Sequence, residues 1–332
     1  MPAPLPLQFV GVGCHLPARV VTNEEVAARC GVSASWIEKN QGVRERRWVD
    51  GETASEMGAS AAREALRDAD MDPADLDLIL NCSGTQEQAI PDGAALVQRA
   101  LGLGDSGIAC MSLHVTCLSF VAGVDVAASL LATGRYQRIL LVSSDISSCA
   151  LDWSRAETCS LFGDLAAAAV VIRTPEGEPS CVHAARFETY GDGADFTTIP
   201  GGGTRRHPNA THTRFEDNLF HMDGRRVFRM VLKKAPAFLE ALQPGLSRGL
   251  GDIRLLVPHQ ASRLALHAHA TRYGFDETRT AATLDRLGNC VAASIPATLY
   301  EAVRAGRIAR GDKILLLGTG AGLSMGGVIL TW

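Results

Sequence analysis

The sequence predicts an α/β fold built from two halves that are related by a pseudo-twofold axis. Apolar strands alternate with segments of helical period, and one such unit occurs twice. Its landmarks are a residue that opens a helix, a glycine that ends it and a strand that follows: Cys117, Gly134 and residues 139–143, then Cys290, Gly306 and residues 313–317. The landmarks recur at offsets of 173 (290 − 117) and 172 (306 − 134). Agreement at several landmarks favours a duplication over the general similarity of strand–helix–strand units.

The remaining elements fit the same scheme. A helix over residues 55–69 precedes a strand over residues 75–82, and a strand over residues 251–258 also follows a helical stretch. Each repeated helix stops at a glycine, which is a common helix end. Strands that alternate with helices indicate mainly parallel sheets, buried on both faces. We therefore expect two halves, residues 1–178 and residues 179–332.

The composition is that of a globular protein with one large core or two domains, since 46% of the 332 residues are hydrophobic. A formal net charge of −4 does not indicate a nucleic-acid partner. The apolar runs are too short to span a membrane, and the N-terminus lacks the basic segment and apolar core of a signal peptide. Nine cysteines without a Cys-x-x-Cys pair favour a cytoplasmic location over a disulfide framework or a zinc site.

Cys117 lies where an apolar run meets the segment of helical period that begins near Phe120. The first free amides of a helix and the positive end of its dipole favour a thiolate over a thiol. The position of Cys117 is therefore typical of a nucleophile, although a single cysteine is more often a core thiol.

Two later segments strengthen this interpretation. His259 follows an apolar strand, at the edge of the sheet where ligands bind in α/β proteins. Asn289 follows Gly288 and, taken alone, is also typical of a turn or a helix cap. The pseudo-twofold axis predicts that Cys117 and Asn289 face each other. His267 and His269 are interpreted as ordinary histidines on a helix face.

A basic stripe is predicted on the helix that follows Met222. Arg225, Arg229 and Lys233 are four residues apart and therefore share one helix face. On an acidic protein such a stripe indicates an acidic partner, or simply a solvated helix face.

The ordered set of motifs resembles the β-ketoacyl-acyl-carrier-protein synthase III family, within the thiolase-like superfamily. The resemblance spans nearly the whole chain. The residues that carry it are Trp36, residues 42–47, Cys117, residues 161–164, 191–203 and 222–228, His259 to Ala261, Asn289 and residues 318–322.

This resemblance implies a thiolase-like five-layer αβαβα fold and a homodimer. It implies an acylated Cys117 in the N-terminal half, and His259 and Asn289 of the C-terminal half as hydrogen-bond donors to the extender thioester. The implied oxyanion hole is formed by the amides of Cys117 and Ala321. The basic stripe would dock acyl carrier protein. The implied contacts to coenzyme A and its pantetheine arm are Trp36, Arg155, Met222, Gly224, Phe228 and Ser262.

The implied reaction is acyl transfer to Cys117, followed by decarboxylative Claisen condensation with a malonyl-type thioester to give a 3-oxoacyl product. It serves fatty acid or polyketide biosynthesis, and the substrates are coenzyme A or phosphopantetheine thioesters. Neither a metal nor another cofactor is expected. The alternative is an acyltransferase, or a non-decarboxylative condensation of two acyl chains. The latter needs an additional base, for which Glu87 is a candidate.

Several positions depart from the family pattern near the coenzyme A site. Asn40 replaces an arginine, and Arg155 is displaced by one residue. Ala265 stands where the family carries another arginine, although Arg263 is close by, and Leu165 replaces a common glycine. These departures predict weakened recognition of coenzyme A and are compatible with an acyl donor that is carried on a protein.

Overall fold

The first half of the chain contributes seven strands and six helices among the residues described by the computed structural model, which are residues 3–332. The first two residues of the predicted N-terminal half lie outside the described residues. In chain order the elements are β1 (Gln8–His15), β2 (Arg19–Thr22), α1 (Asn23–Cys30), α2 (Ala34–Gln41), β3 (Glu45–Trp48), α3 (Ala54–Asp68), β4 (Leu78–Asn81), α4 (Gly93–Ala100), β5 (Ala109–Ser112), α5 (Ser119–Ala132), β6 (Arg138–Asp145), α6 (Ala156–Cys159) and β7 (Leu165–Ile172).

The second half repeats the main elements of the first and adds two short strands. Its elements are β8 (Cys181–Thr189), β9 (Thr197–Thr198), β10 (His221–Met222), α7 (Gly224–Leu242), β11 (Leu255–Pro258), α8 (Arg263–Tyr273), α9 (Leu284–Leu287), α10 (Ser294–Arg304), β12 (Lys313–Gly320) and β13 (Ser324–Thr331). Among residues 3–332, no helix combines the length and the apolar character needed to cross a bilayer.

Two mixed β-sheets form the centre of the fold. The first has the order β1-β7-β6-β4-β5 and the second the order β11-β12-β13-β8. Strands β4, β5 and β6 pair in parallel, as do β11 and β12, but the remaining pairs of both sheets are antiparallel. The prediction of mainly parallel sheets is therefore wrong. The short turn between β12 and β13 leaves no room for a crossover helix, so these two strands pair as a hairpin.

Five layers follow from the alternation of side chains along the buried strands. In β6, Ile139 and Leu141 face a central core with Phe120 of α5 and Ile295 of α10, while Leu140 belongs to an outer core against α3. The second sheet repeats this arrangement, with its outer face packed on α7 and on the end of α8. Successive side chains of a strand point to opposite faces, and both sets are buried here, so each sheet is covered on both sides. The five-layer αβαβα fold is confirmed.

The repeat is present, but its register differs from the predicted one. Thr116 and Val291 both have positive φ, of 49° and 51°, and both begin a 3-10 turn that leads into α5 or α10. These positions differ by 175 (291 − 116), so Cys117 corresponds to Ala292 rather than to Cys290. Helix α5 has 14 residues and α10 has 11, which explains the smaller offset of 172 at the glycines that end them.

Candidate active site

Cys117 lies in the 3-10 turn Thr116–Leu118, immediately before α5. The amide of Val115 donates to Ser119 Oγ over 2.9 Å, and Ser119 Oγ donates to the carbonyl of Thr116 over 2.7 Å. These bonds hold Thr116 at a positive φ, which is a strained conformation for a β-branched residue. The turn therefore fixes the backbone that carries the Cys117 thiol.

The environment of Cys117 favours the thiol. Burial raises the pKa of Cys117 to about 12, and the nearby charge of Asp145 acts in the same direction. The backbone amides of Cys117 and Ala321 lie against the sulfur and lower its pKa, but they do not outweigh burial. The amides at the start of the helix therefore act in the predicted direction, but desolvation of the charged form outweighs them, so the thiol is favoured.

Asp145 is a functional candidate that the sequence did not reveal. It ends β6, is fully buried, and its Oδ1 accepts from the amides of Gly84 and Thr85 over 2.8 and 2.7 Å. Its Oδ2 accepts from the amide of Ala293 over 3.0 Å. The carboxylate thus joins the loop after β4 to the turn before α10. A charged residue at the end of an apolar strand is the signal that could have identified it.

His259 follows β11 and is buried, and its amide donates to the carbonyl of Leu317 over 2.8 Å. Burial lowers the pKa of His259 to about 4, so the ring is neutral at pH 7. Its Nδ1 is buried and has no hydrogen-bond partner within residues 3–332. A buried N–H without an acceptor is costly, so the proton is favoured on Nε2, where the ring can donate.

Hydrogen bonds of its backbone and of its side chain hold Asn289 in place. Its amide donates to the carbonyl of Leu161 over 2.9 Å, and its Oδ1 accepts from the amide of Val291 over 2.9 Å. Its Nδ2 lies 3.5 Å from the carbonyl of Ala261, two residues after His259. Gly288 allows this approach, because a Cβ there would lie 2.6 Å from the Leu161 carbonyl oxygen. The Asn289 amide is therefore next to the His259 segment.

The glycine-rich end of β12 lies between the nucleophile turn and His259. A Cβ on Gly318 would lie 3.0 Å from the Cβ of His259 and 3.0 Å from Cδ2 of Leu118. A Cβ on Gly320 would lie 2.7 Å from Oγ1 of Thr116. Only residues without a side chain permit this contact. The structure thus brings the segments of the predicted catalytic trio to one place in the fold.

A cavity of about 880 Å³ leads to this place. Its lining includes His259 but neither Cys117 nor Asn289. Trp36 is also absent from the lining, although Asn40 of the same helix takes part. The predicted substrate-binding residues that line the cavity are Arg155, Met222, Gly224, Phe228 and Ser262.

The positions that depart from the family pattern have partners within the chain. Asn40 Nδ2 donates to the carbonyl of Trp36 over 2.8 Å. Arg155 Nε lies 3.3 Å from Oδ2 of Asp152. The guanidinium of Arg263 donates to the carbonyl of Lys39 over 3.2 Å. All three side chains are thus engaged within the chain, and two of them, Asn40 and Arg155, line the cavity.

The predicted basic stripe lies on α7. Arg225, Arg229 and Lys233 are all exposed, and within residues 3–332 none of them forms an ion pair. Arg225 also lines the cavity, so the stripe begins at its mouth.

Glu87 is engaged at the N-terminus of α3. Its Oε2 accepts from the amide of Ser55 over 2.7 Å, and its Oε1 accepts from the Ser55 hydroxyl over 3.3 Å. A carboxylate at this position stabilises the positive end of the helix dipole. The contacts assign Glu87 to helix capping.

His269 is not an ordinary helix-face histidine, because it and Tyr273 line the cavity from α8. The spacing of four residues places His269 and Tyr273 on one face of α8, and this was the signal in the sequence. The apolar face of α7 on the other side of the cavity cannot be inferred from the sequence of α8 alone.

Two family models match the chain. The model described as 3-oxoacyl-[acyl-carrier-protein] synthase III matches residues 111–193. The model of the C-terminal part of the same family matches residues 247–332. The first match contains Cys117, and the second contains both His259 and Asn289.

Whole-chain comparisons agree with the family models. A β-ketoacyl-[acyl-carrier-protein] synthase III of Desulfitobacterium hafniense is 35% identical over 98% of this chain and 97% of its own length. A crystal structure of 3-oxoacyl-[acyl-carrier-protein] synthase III from Aquifex aeolicus matches with a TM-score of 0.87 and 30% identity, over 98% of this chain and 100% of that one. The priming β-ketosynthase of the R1128 polyketide pathway matches with a TM-score of 0.87 and 26% identity, over 100% of this chain and 98% of that one.

Proposed function

Because the chain belongs to the 3-oxoacyl-[acyl-carrier-protein] synthase III family, we propose that it condenses an acyl group held on Cys117 with a malonyl-type thioester. The observation that carries this proposal is the convergence of the Cys117, His259 and Asn289 segments at the glycine-rich end of β12. The product is a 3-oxoacyl thioester for fatty acid or polyketide biosynthesis.

The first half-reaction transfers an acyl group to the thiol. The sulfur of Cys117 attacks the thioester carbonyl, the acyl–sulfur bond of the donor breaks, and the thiol proton leaves with the donor thiol. The tetrahedral oxyanion needs two fixed donors. The amides of Cys117 and Ala321, which lie against the sulfur, are suited to this role.

The second half-reaction forms the carbon–carbon bond. A malonyl-type thioester loses CO₂, and its thioester oxygen then carries the enolate charge. The neutral His259 ring donates from Nε2, and Asn289 Nδ2 donates its free hydrogen. The enolate carbon attacks acyl-Cys117, the acyl–sulfur bond breaks, and the sulfur takes up one proton.

The low pKa of His259 has a catalytic consequence. A neutral imidazole stabilises an enolate by hydrogen bonding without being titrated at physiological pH. Each such donor in a dry site contributes about 3 kcal/mol to transition-state stabilisation. No metal or redox cofactor takes part in this scheme, because the loss of CO₂ supplies the carbanion.

The pantetheine arm is proposed to enter through the cavity, past Met222, Gly224, Phe228 and Ser262. Trp36 and Arg155 flank the mouth on this proposal, and coenzyme A or a carrier protein delivers the arm. The exposed stripe of Arg225, Arg229 and Lys233 begins at the same mouth and is the proposed docking surface for acyl carrier protein.

We also propose that the chain forms a homodimer in the cytoplasm. Strand β5 is an edge of the first sheet, and Met111 on it is 41% exposed. The nine cysteines are all free, which agrees with a reducing compartment. Light scattering after size exclusion measures the oligomeric state directly, and a monomer at micromolar concentration would contradict the proposed homodimer.

The function is tested by intact-mass measurement after incubation with acyl-coenzyme A and acyl-carrier-protein donors. We expect an acyl adduct that Cys117→Ala removes and that the control Cys149→Ala, at an exposed cysteine, retains. Addition of a malonyl thioester should release one CO₂ for each 3-oxoacyl product. Formation of the adduct without CO₂ release would replace this proposal with simple acyl transfer, and the absence of any adduct would overturn it.

A further inference from the structure

The mouth of the cavity carries no net charge. The charged residues that line the cavity are all exposed, and they are three arginines and three carboxylates: Arg155, Arg225, Arg226, Glu157, Asp195 and Asp223. With histidine counted as neutral, their formal charges cancel. A cleft attracts a polyanion when cations of its lining dominate the local field, and these linings are balanced. The lining itself is therefore not built to bind a group with several negative charges.

Two of the three arginines already have partners within the chain. Arg155 Nε lies 3.3 Å from Oδ2 of Asp152, which neutralises its charge locally. The guanidinium carbon of Arg226 lies 4.0 Å from the centroid of the Phe196 ring, where the face of the ring attracts the cation. A phosphate group at the mouth has to compete with these contacts, so neither arginine is a free cation.

The start of α7 is the other place at the mouth where a phosphate could bind, because the first amides of a helix attract anions. Here the Asp223 side chain accepts from the amide of Arg226 over 3.0 Å, so a carboxylate already occupies this position. Its charge also opposes the approach of a second anion. Arg225 is exposed and forms no ion pair with any other residue of 3–332. The lining therefore offers one unengaged cation.

The two possible acyl donors differ in the charge that they bring to this mouth. Beyond its pantetheine arm, coenzyme A carries a diphosphate and a phosphomonoester, and a phosphomonoester alone has a charge of about −1.5 to −2 at pH 7. The arm of a carrier protein is attached through a single phosphodiester. One unengaged arginine matches that phosphodiester, whereas the phosphates of a nucleotide would lie near Glu157 and Asp195 with too few cations to offset the repulsion.

The unengaged cations outside the cavity are arranged for a protein rather than for a nucleotide. Arg229 and Lys233 are exposed and do not line the cavity, and at 1.5 Å per residue they lie roughly 6 and 12 Å along α7 from Arg225. Cations that bind phosphates converge on them, but these three form a row. Leu264 of α8 also lines the cavity and is 56% exposed, which adds an apolar contact. A row of charges with an apolar contact suits the acidic face of a folded partner.

We propose that an acyl carrier protein delivers the acyl group to Cys117 and that the nucleotide of coenzyme A adds nothing to donor recognition. This inference rests on the proposed function, since it names the donor of the first half-reaction. In that step the acyl–sulfur bond to the phosphopantetheine of the carrier protein breaks and the bond to the sulfur of Cys117 forms. The proton of the Cys117 thiol passes to the released phosphopantetheine thiol.

Acylation of Cys117 in the wild-type protein, followed by intact mass at about 0.15 M salt, tests the inference. Acetyl, butyryl and octanoyl groups are each presented on pantetheine, on coenzyme A and on the acyl carrier protein of the same organism. For every group that is transferred, we expect kcat/KM to be about tenfold higher with the carrier protein than with coenzyme A. The values with coenzyme A and with pantetheine should agree within about threefold.

The outcomes separate this inference from the proposed function. A value with coenzyme A that matches the carrier-protein value, or that exceeds the pantetheine value by more than about threefold, overturns the inference while acyl transfer itself stands. The absence of an adduct from every donor overturns the proposed function, and the inference falls with it. The wild-type protein alone decides between these results, so misfolding of a variant cannot obscure them.

A change of charge at the mouth tests the physical cause. Glu157→Lys makes the lining net positive and is expected to raise the ratio of kcat/KM for acyl-coenzyme A to that for acyl-pantetheine about tenfold at low salt. Glu176→Lys changes the net charge equally at an exposed position that does not line the cavity, and it should leave this ratio unchanged. The ratio compares two substrates of one variant, so a partial loss of folded protein cancels. An equal ratio in the two variants would show that the charge of the mouth does not govern recognition of the nucleotide, and would overturn the inference.

Discussion

Asp145 Oδ2 accepts a hydrogen bond of 3.0 Å from the backbone amide of Ala293, so a carboxylate of the first half holds the turn that begins α10 in the second half. The same side chain accepts from the amides of Gly84 and Thr85 through Oδ1. One buried group thereby fixes two loops next to Cys117, and the two halves of the molecule meet at the nucleophile.

Replacement of Asp145 by alanine is expected to destabilise the protein by about 3 to 5 kcal/mol. The substitution leaves one buried and two part-buried backbone amides without this acceptor, and each buried group of this kind costs about 1 to 3 kcal/mol. Urea unfolding at constant m-value measures the loss. Asp105→Ala, at an exposed turn, should change stability by less than about 0.5 kcal/mol. Equal midpoints for the two variants would contradict the bridging role of Asp145.

The sequence was sufficient for the existence of the repeat, though not for its register, and for the positions of Cys117, His259 and Asn289 at the ends of elements, because both depend on local signals. Helix stops at Gly134 and Gly306 and the apolar strands beside them can be read without knowing the tertiary structure. Cys117 and His259 likewise stand at the ends of elements. Strand direction was not accessible in this way, because it depends on whether a connection crosses the sheet or turns back, as it does between β12 and β13.

The features that the sequence did not reveal all depend on tertiary burial. The pKa of Cys117 is set by desolvation and by Asp145, which lies 28 positions away in the chain (145 − 117). His269 and Tyr273 become cavity residues only because α7 packs over α8 and leaves a space between them. A helix face cannot be assigned to a cavity until its packing partner is known.

The rate of Cys117 alkylation by iodoacetamide is expected to rise about tenfold per pH unit from pH 7 to pH 10 without levelling off. Only the thiolate reacts, and burial raises the pKa of Cys117 to about 12, so its fraction keeps increasing over this range. An unperturbed peptide thiol, used as the reference, levels off above its pKa of about 8.5. Peptide mapping of the modified cysteine gives the rate, and a plateau below pH 9 would be incompatible with the burial effect.

His259→Ala and Asn289→Ala are each expected to lower decarboxylation of a malonyl thioester about 100- to 1000-fold while leaving acylation of Cys117 intact. Each removes one donor to the enolate oxygen, and this charge does not develop in the acylation step. Trapped CO₂ and intact mass separate the two half-reactions. The matched control is His267→Ala, at an exposed position of α8. Loss of acylation in parallel with decarboxylation would refute the division of roles.

Reversal of two charges in the basic stripe, Arg229→Glu with Lys233→Glu, is expected to raise KM for an acyl-carrier-protein substrate about tenfold at low salt. KM for the same acyl group on free pantetheine should not change, because neither residue lines the cavity. The difference should shrink in 0.5 M salt, where the Debye length is roughly half its physiological value. The control pair Arg67→Glu with Arg99→Glu reverses two exposed charges elsewhere. An equal effect of both pairs would mean that net charge, rather than the stripe, attracts the carrier protein.

Stability is expected to fall as pH decreases from about 6.5 to about 4, with His259 and His269 responsible for much of the loss. Burial lowers the pKa of both rings from 6.5 to about 4, so between these values the unfolded chain binds protons that the folded chain does not. Stability that is present above pH 6.5 is therefore lost as pH falls, by on the order of 3 kcal/mol per ring. His269→Phe should remove about half of the dependence, whereas His267→Phe, on the exposed face of the same helix, should keep all of it. Denaturant midpoints at pH 4.5 and pH 7.5 give the comparison, and an identical acid loss in the two variants would show that His269 is not held neutral by its surroundings.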